Sequence, residues 1–470
     1  MISPAGAYDT IVFMNERTHR MTEGNPAKLI FFFAVPLMLG NVFQQVYIIT
    51  DTLIVSRTLG VKALAALGST DWFSYMMISA VQAAAQGFSI LIAQRFGAGD
   101  QKGVRRSYAR SIVLSIAMTA VLTIASLLMI RPVMIFQNTP LEVRPMAEEY
   151  LRILFAGMPA MMLLNYGSSV LRALGDSRSP LFAMVISALI NVGLDYFLVV
   201  ILGAGVAGAA AATVIAQLLA GFWCLFAMKG IDFIRLEKAD FKPSKGLDSE
   251  LLKLSWPMMI QNLILSAGGI VVQSRVNTFE LSSIAGYTAA SKLYGALELA
   301  ALAYGFAMVT YTGQNYGAKE YKRVFAGIRD SLIIGVLSAL AIGLAMLACG
   351  RDVIGFFLKE EGTMAAEALE TGTEFLFLMA ETLPVLYGLH IVRSVLQGLG
   401  DTLTPMLSGG AECIARMSMA VIVSRFIGWP AMIWAEVAAW IAADFVLFGS
   451  LYKRLSVMKA IMDSGEQYGQ

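Results

Sequence analysis

Charge is scarce in this chain. Asp, Glu, Lys and Arg make up only 14% of its 470 residues, against about 25% in an ordinary soluble domain, which excludes a water-solvated globule of this length. The net charge is +2, and the basic residues gather in short loops instead of covering one face, so no nucleic-acid partner is expected. Cysteine is almost missing: Cys224, Cys349 and Cys413 all fall inside apolar runs, leaving neither a disulfide framework nor a metal spacing. The two histidines, His19 and His390, are too far apart in sequence for a zinc motif. No Ser-His arrangement and no His/Asp/Glu constellation stands at a membrane surface, so an enzyme is not expected. The first 24 residues are polar and lack a basic stretch followed by an apolar one, so no cleaved signal is expected. Met21 stands as a second candidate start, and residues 1 to about 20 are expected to be poorly ordered.

What the chain has instead is apolar length. Hydrophobic residues make up 57% of it and the mean hydropathy is +0.68, the composition of a polytopic membrane protein. Crossing a hydrocarbon core takes about 20 residues of helix, and twelve runs qualify. They lie near 28–55, 63–94, 107–130, 147–171, 181–202, 206–228, 251–274, 284–314, 325–349, 370–392, 405–424 and 429–452. The expected fold is all-α, and an even number of spans puts both termini on one side. With residues at span ends counted to the adjoining loop, termini-inside segments hold 24 of the 35 Lys and Arg and outer segments 9. Lys292 and Arg416 remain within the spans. That bias predicts cytoplasmic termini in a cell membrane.

The chain also repeats itself. Val170-Leu171-Arg-Ala-Leu174-Gly175-Asp176-Ser-Arg-Ser-Pro180 returns 225 residues later as Val395-Leu396-Gln-Gly-Leu399-Gly400-Asp401-Thr-Leu-Thr-Pro405. Each copy reads as a helix end, a Gly suited to the position just past it, a charged turn, and a Ser179-Pro180 or Thr404-Pro405 pair that caps and starts the next helix. Pro36 pairs with Pro257, Gln94-Arg-Phe-Gly97-Ala98 with Gln314-Asn-Tyr-Gly317-Ala318, Pro159 with Pro384 and Gly203 with Gly428, all at offsets of 220 to 225. The predicted organisation is a tail at 1–24, a six-helix bundle at 25–228, a solvated cytoplasmic linker at 229–250, a second bundle at 251–455 and a tail at 456–470. Parallel repeats of this kind are a transporter architecture, with a binding cavity expected between the halves.

The paired Leu-Gly-Asp-x-x-x-Pro hairpins, the Pro36 and Pro257 helices, the Gln-x-x-Gly-Ala turns and the stretch Gln45-Val-Tyr47-Ile-Ile-Thr-Asp51-Thr together resemble the MATE (multidrug and toxic compound extrusion) transporters. The resemblance runs from about residue 22 to 455, and Asn191-Val-Gly-Leu-Asp195 followed by Thr213 is similar to the prokaryotic DinF-like branch. It implies a V-shaped pair of pseudo-symmetric bundles around a central cavity. It also implies coupling: inward flow of H⁺ or Na⁺ drives an organic, often cationic, compound outward. The loop Gly97-Ala-Gly-Asp100-Gln-Lys102-Gly103-Val-Arg105-Arg106 also resembles one of the major facilitator transporters, but its repeat at Gly317-Ala-Lys-Glu320 departs from that pattern.

Polar groups at membrane depth locate the chemistry, because an ionisable residue there costs a few kcal/mol or more. Asp51 sits between Ile48-Ile49-Thr50 and Leu53-Ile54-Val55, and Asn191 and Asp195 are four apart and so share a helix face. These three and Thr213 are expected to meet in the outer half of the first bundle. The repeat supplies an internal control: the equivalent positions are Val272, Arg416, Ala420 and Ala438. The scaffold is repeated and the polar set is not, which marks the set as a site. Two carboxylates close together in a low dielectric either retain a proton or hold a cation such as Na⁺, with Asn and Thr oxygens completing the shell. The expected roles are Asp51 and Asp195 as carriers of the proton or ion, with Asn191 and Thr213 positioning it.

Other intramembrane polar groups are read more plainly. Glu412 and Arg416, at i and i+4, form a structural ion pair, and Lys292 snorkels. Asp71, beside Trp72 and Phe73, together with Gln45, Tyr47, Glu298, Glu374 and Glu381, is a candidate for the substrate cavity. The 27 methionines and 26 phenylalanines suit an adaptable apolar cavity. A lipid-linked oligosaccharide flippase of the same superfamily is the alternative, though it calls for several basic cavity residues. No tight cofactor is implied, and a monomer suffices because both halves lie in one chain.

Overall fold

A computed structural model describes residues 19–137, 139–357 and 363–467. The expectation of a poorly ordered N-terminus therefore falls, except at its end, outside the described residues. Among them every regular element is helical. Helix α1 is Pro26–Gly60 and α2 Lys62–Gly97. They are followed by α3 Gln101–Phe136, α4 Arg144–Ala156, α5 Met158–Ala173, α6 Arg178–Asp195 and α7 Gly205–Lys229. The later helices are α8 Lys245–Val276, α9 Leu281–Gly317, α10 Tyr321–Phe357, α11 Thr363–Gly398, α12 Leu403–Ser418 and α13 Pro430–Gln467. Among the described residues eleven spans are long and apolar enough to cross a membrane, and α4 with α5, bent by 46°, passes the same test as a pair. Counted so, the twelve expected spans are present.

Their ends differ from the apolar runs for a physical reason. Hydropathy marks only the lipid-embedded stretch, while the backbone hydrogen-bond ladder continues past it. The run at 107–130 is thus the middle of α3, which extends to Gln101, where Asp100 Oδ1 accepts from the Gly103 N–H at 2.8 Å. The fourth span was expected to be continuous. It breaks at Gly157, because Pro159 lies in the first turn of α5 and has no N–H to continue the ladder of α4.

The duplicated phrase forms the same hairpin twice. Gly175 and Gly400 take φ of +86° and +87°, the left-handed conformation glycine adopts without a Cβ penalty. The N–H of Asp176 bonds the carbonyl of Leu171 and that of Asp401 the carbonyl of Leu396, each at 2.9 Å, which is the Schellman closure of a helix end. The next helix, however, is not capped by Ser179 or Thr404. Asp176 Oδ1 accepts from the N–H groups of Arg178 and Ser179, both at 2.9 Å. Asp401 Oδ1 accepts from the Thr404 N–H at 3.0 Å, and its Oδ2 from the Thr404 hydroxyl at 2.9 Å. The turn aspartate is the cap, since its carboxylate reaches the orphan donors two and three residues on.

By contacts the chain forms two compact units. One comprises Met1–Glu23, Val35–Met259 and Gly313–Lys319, and the other Gly24–Ala34, Ile260–Thr312 and Glu320–Gln470. In the first unit most of the segment after α7 is exposed, and its short turns Asp232–Ile234 and Lys238–Phe241 lie against α3, the second tied to it by ion pairs. Arg110 bonds both oxygens of Asp248 at 2.7 and 2.8 Å, and Arg105 bonds Glu237 and the buried Asp240 at 2.9 and 2.8 Å. The same unit contains a tight reciprocal contact between the two Gln-x-x-Gly turns. A Cβ on Gly97 would fall on the Gln314 carbonyl, and one on Gly317 on the Gln94 carbonyl. Fully buried Gln314 is held further by the Met21 N–H and by its own donation to the Ala173 carbonyl, both at 2.8 Å.

Candidate functional site

Three helices of the first unit place their polar residues at i and i+4 spacing. Tyr47 and Asp51 lie on α1, Asn191 and Asp195 on the last turns of α6, and Thr213 and Gln217 on α7. The threonines flanking Asp51 turn back on their own helix: the Thr50 and Thr52 hydroxyls donate to the carbonyls of Val46 and Ile48 at 2.9 Å. Asp51 itself is only half-buried, yet its Oδ1 is enclosed and finds no hydrogen-bond partner. Asp195 is fully buried, with both carboxyl oxygens enclosed and without a well-formed hydrogen bond. The two carboxyl groups approach each other directly. Asn191, 1% exposed, donates from Nδ2 to the Thr213 hydroxyl at 3.3 Å, while its Oδ1 has no partner.

These four residues, expected to meet, are brought together. One turn along from Asp51, Asp195 and Thr213 on the same helices, Val55, Val199 and Ala209 join Leu67 and Val206 in an apolar cluster packed by Ile54, Leu59 and Tyr150. Buried oxygens without donors are costly in such surroundings. The donor set of two carboxylates, an amide oxygen and a hydroxyl suits a proton or a hard cation such as Na⁺. Among the described residues no three His, Cys, Asp or Glu side chains converge as they would for a transition metal. Asp195 is followed immediately by a π-turn, Tyr196–Ile201, a widened helical turn that often accompanies functional positions.

Sequence reasoning placed Tyr47 in a substrate cavity. The structure puts its phenol against Gln44 and Gln217, within electrostatic reach of both aspartates. Two neighbours were missed. Gln217 carried a signal, being four residues beyond Thr213. Tyr150, within reach of Asp51, Asp71, Tyr47 and Asp195, carried none, because no spacing in the sequence ties it to them. Asp71 is exposed and Gln45 half-buried. Of the aromatics beside Asp71, Phe73 turns into the core against Phe155 at 5.0 Å, and Trp72 meets Tyr75 at 6.3 Å.

The second unit holds a different polar set. Glu412 and Arg416 bond at 2.9 Å, but as the centre of a larger network. Arg393 bonds the other Glu412 oxygen at 2.7 Å, and Arg416 also bonds Glu436 at 2.7 Å. Glu298 meets His390 at 3.3 Å, while Glu374, Glu381 and Lys292 are exposed. The apolar run ends at 392, which reads Arg393 as a loop residue. In fact α11 continues to Gly398, and Arg393 is 8% exposed within it.

The MatE family model matches residues 36–197 and 257–422, one match in each half. The chain is 27% identical over 396 residues to the probable multidrug resistance protein YpnP of Bacillus subtilis (strain 168), covering 82% of this chain and 86% of that protein. It is 25% identical over 342 residues to the FAD transporter of Shewanella oneidensis (strain ATCC 700550 / JCM 31522 / CIP 106686 / LMG 19005 / NCIMB 14063 / MR-1), covering 70% and 74%. Among solved structures, a MATE crystal structure in complex with MaL6 has the same fold, with a TM-score of 0.87 at 24% identity over 94% of this chain and 99% of that one. Twelve spans, a duplicated hairpin and a family match over both halves lead to one assignment: the chain belongs to the MatE family, and is a multi-pass membrane transporter and not an enzyme.

Proposed function

We propose that the chain is a cation-coupled antiporter that exports organic, often cationic, compounds by alternating access, driven by inward flow of H⁺ or Na⁺. The observation that carries this reading is the Asp51–Asp195 pair, whose enclosed oxygens have no donor of their own. Two carboxylates in such a place cannot both be charged without a counter-charge. A proton or Na⁺ entering the pair relieves the repulsion, and its departure restores it. The free energy of the pair therefore differs between loaded and empty states, which is what lets an ion gradient bias two conformations. Asn191 and Thr213 fix each other across α6 and α7, which leaves the Asn191 Oδ1 without a donor one helical turn from Asp195. Tyr47 and Tyr150 supply hydroxyls at its rim.

The name of the Bacillus subtilis relative favours multidrug export, while the Shewanella relative is named an FAD transporter. A flippase reading gains no support from the newly found Arg393, because it is held by Glu412. We place the transporter in the cell membrane as a monomer, with both termini on the cytoplasmic side. The test is dye flux from proteoliposomes under separately imposed pH and Na⁺ gradients. Flux that follows one gradient supports the proposal, and flux that follows neither overturns it.

A further inference from the structure

The network of the second unit does not balance in charge. Two arginines, Arg393 and Arg416, serve three carboxylates: Glu412 bridges both, Glu436 takes Arg416, and Asp444 lies within electrostatic reach of Arg393 and Glu412. Counting the Glu298–His390 pair does not change the result. If His390 is charged that pair is neutral, and if it is not, the surplus of negative charge grows. One acid charge is thus left over inside the membrane, where an uncompensated charge is expensive.

Position singles out which group carries it. Glu412 and Glu436 each have a guanidinium partner at 2.7 Å. Asp444 forms no ion pair, and its enclosed Oδ1 has no hydrogen-bond partner. It lies 14 residues into α13, about 21 Å along the helix, and is only partly exposed. Arg393 and Arg416, each 8% exposed, both keep an enclosed Nε–H without an acceptor. The network therefore holds orphan donors on both arginines, and an orphan acceptor on Asp444 within electrostatic reach of one of them, Arg393. Of the elements packed against α13, α9 presents Tyr294, which stacks on Trp440 at 6.0 Å, and Glu298, α11 presents Arg393 and His390, and α12 presents Glu412 and Arg416. Helix α10 has its charges at its ends, from Lys322 to Asp330 and at Arg351 and Asp352.

We propose that Asp444 is a second proton-carrying group, separate from the Asp51–Asp195 pair. It takes up a proton when the network is closed to water and releases it when Arg393 turns toward it. Its role in coupling rests on the antiport reading above; its protonation does not. The test is infrared titration of the carboxylic acid C=O stretch in the full-length protein, comparing wild type with Asp444→Asn, Asp444→Glu and Asp195→Asn. We expect one titrating band to vanish in Asp444→Asn, to shift in Asp444→Glu, and to persist in Asp195→Asn. Should Asp444→Asn not fold, the Asp444→Glu shift decides. A set of bands unchanged by either Asp444 variant overturns the proposal. In proteoliposomes loaded with ethidium, coupling in Asp444→Asn should fall by one proton per cycle relative to wild type, and unchanged coupling overturns the transport role. Wild-type flux indifferent to every ion gradient would defeat the antiport reading and leave the spectroscopic result standing.

Discussion

The two halves share a backbone plan and differ in how their buried charges are answered. In the first, Asp51 and Asp195 face each other without a cation. In the second, the position equivalent to Asn191 is Arg416, which bonds two glutamates. Both halves widen into a π-turn at this level, Tyr196–Ile201 and Met419–Val423, yet the position equivalent to Asp195 is Ala420, fully buried and apolar. The widened turn is thus part of the repeated scaffold, and the unanswered acid is not. A fold can use one plan for a cross-linked strut and for a loadable pocket by choosing which charge meets which.

Stability measurements can break that comparison. The largest effect is expected for Arg416→Ala, which strands Glu436 and leaves Glu412 with Arg393 alone, and should cost about 3–5 kcal/mol. Thermal unfolding in detergent checks it, and the double substitution Glu436→Gln with Arg416→Met, which removes the stranded carboxylate as well, should cost less than the single one. Next come Gly97→Ala and Gly317→Ala, each about 1–3 kcal/mol by overpacking. Because both break one reciprocal contact, the pair together should cost little more than either alone. Asp195→Asn should act in the opposite direction and raise stability by about 1 kcal/mol, as expected where a group is kept for function at the expense of the fold. A loss of stability there would mean that Asp195 is a structural tie. Smallest is the difference between the two caps. Asp176→Ala should cost about 1 kcal/mol. Asp401→Ala should cost a few tenths more, in the range of about 0.2–1 kcal/mol for an exposed pair, because Asp401 also meets the half-exposed Arg454 at 3.1 Å.

Much of this architecture is legible in the residues, because lipid demands long apolar helices and a duplication shows itself by repetition. The meeting of Asp51, Asn191, Asp195 and Thr213 is legible too, since helical spacing fixes faces and the missing counterparts at Val272, Arg416, Ala420 and Ala438 mark the set as special. What stays hidden depends on three-dimensional partners. The bend at Gly157 does not interrupt hydropathy, so no window detects it. Arg393 looks like a loop residue because hydropathy stops where charge begins, although the helix ladder continues for another turn. Glu436 and Asp444 sit alone in an apolar run, and only the positions of Arg416 and Arg393 show that one is answered and the other is not. Tyr150 comes within electrostatic reach of the site from α4, a meeting that no spacing in the sequence marks.

The account stands most directly on the Asp51–Asp195 pair. Gradient-driven dye export should be measured in proteoliposomes containing equal amounts of folded wild-type and Asp195→Asn protein. The account predicts that the variant falls to the rate of empty vesicles while remaining at least as stable as wild type. Export at the wild-type rate would contradict it.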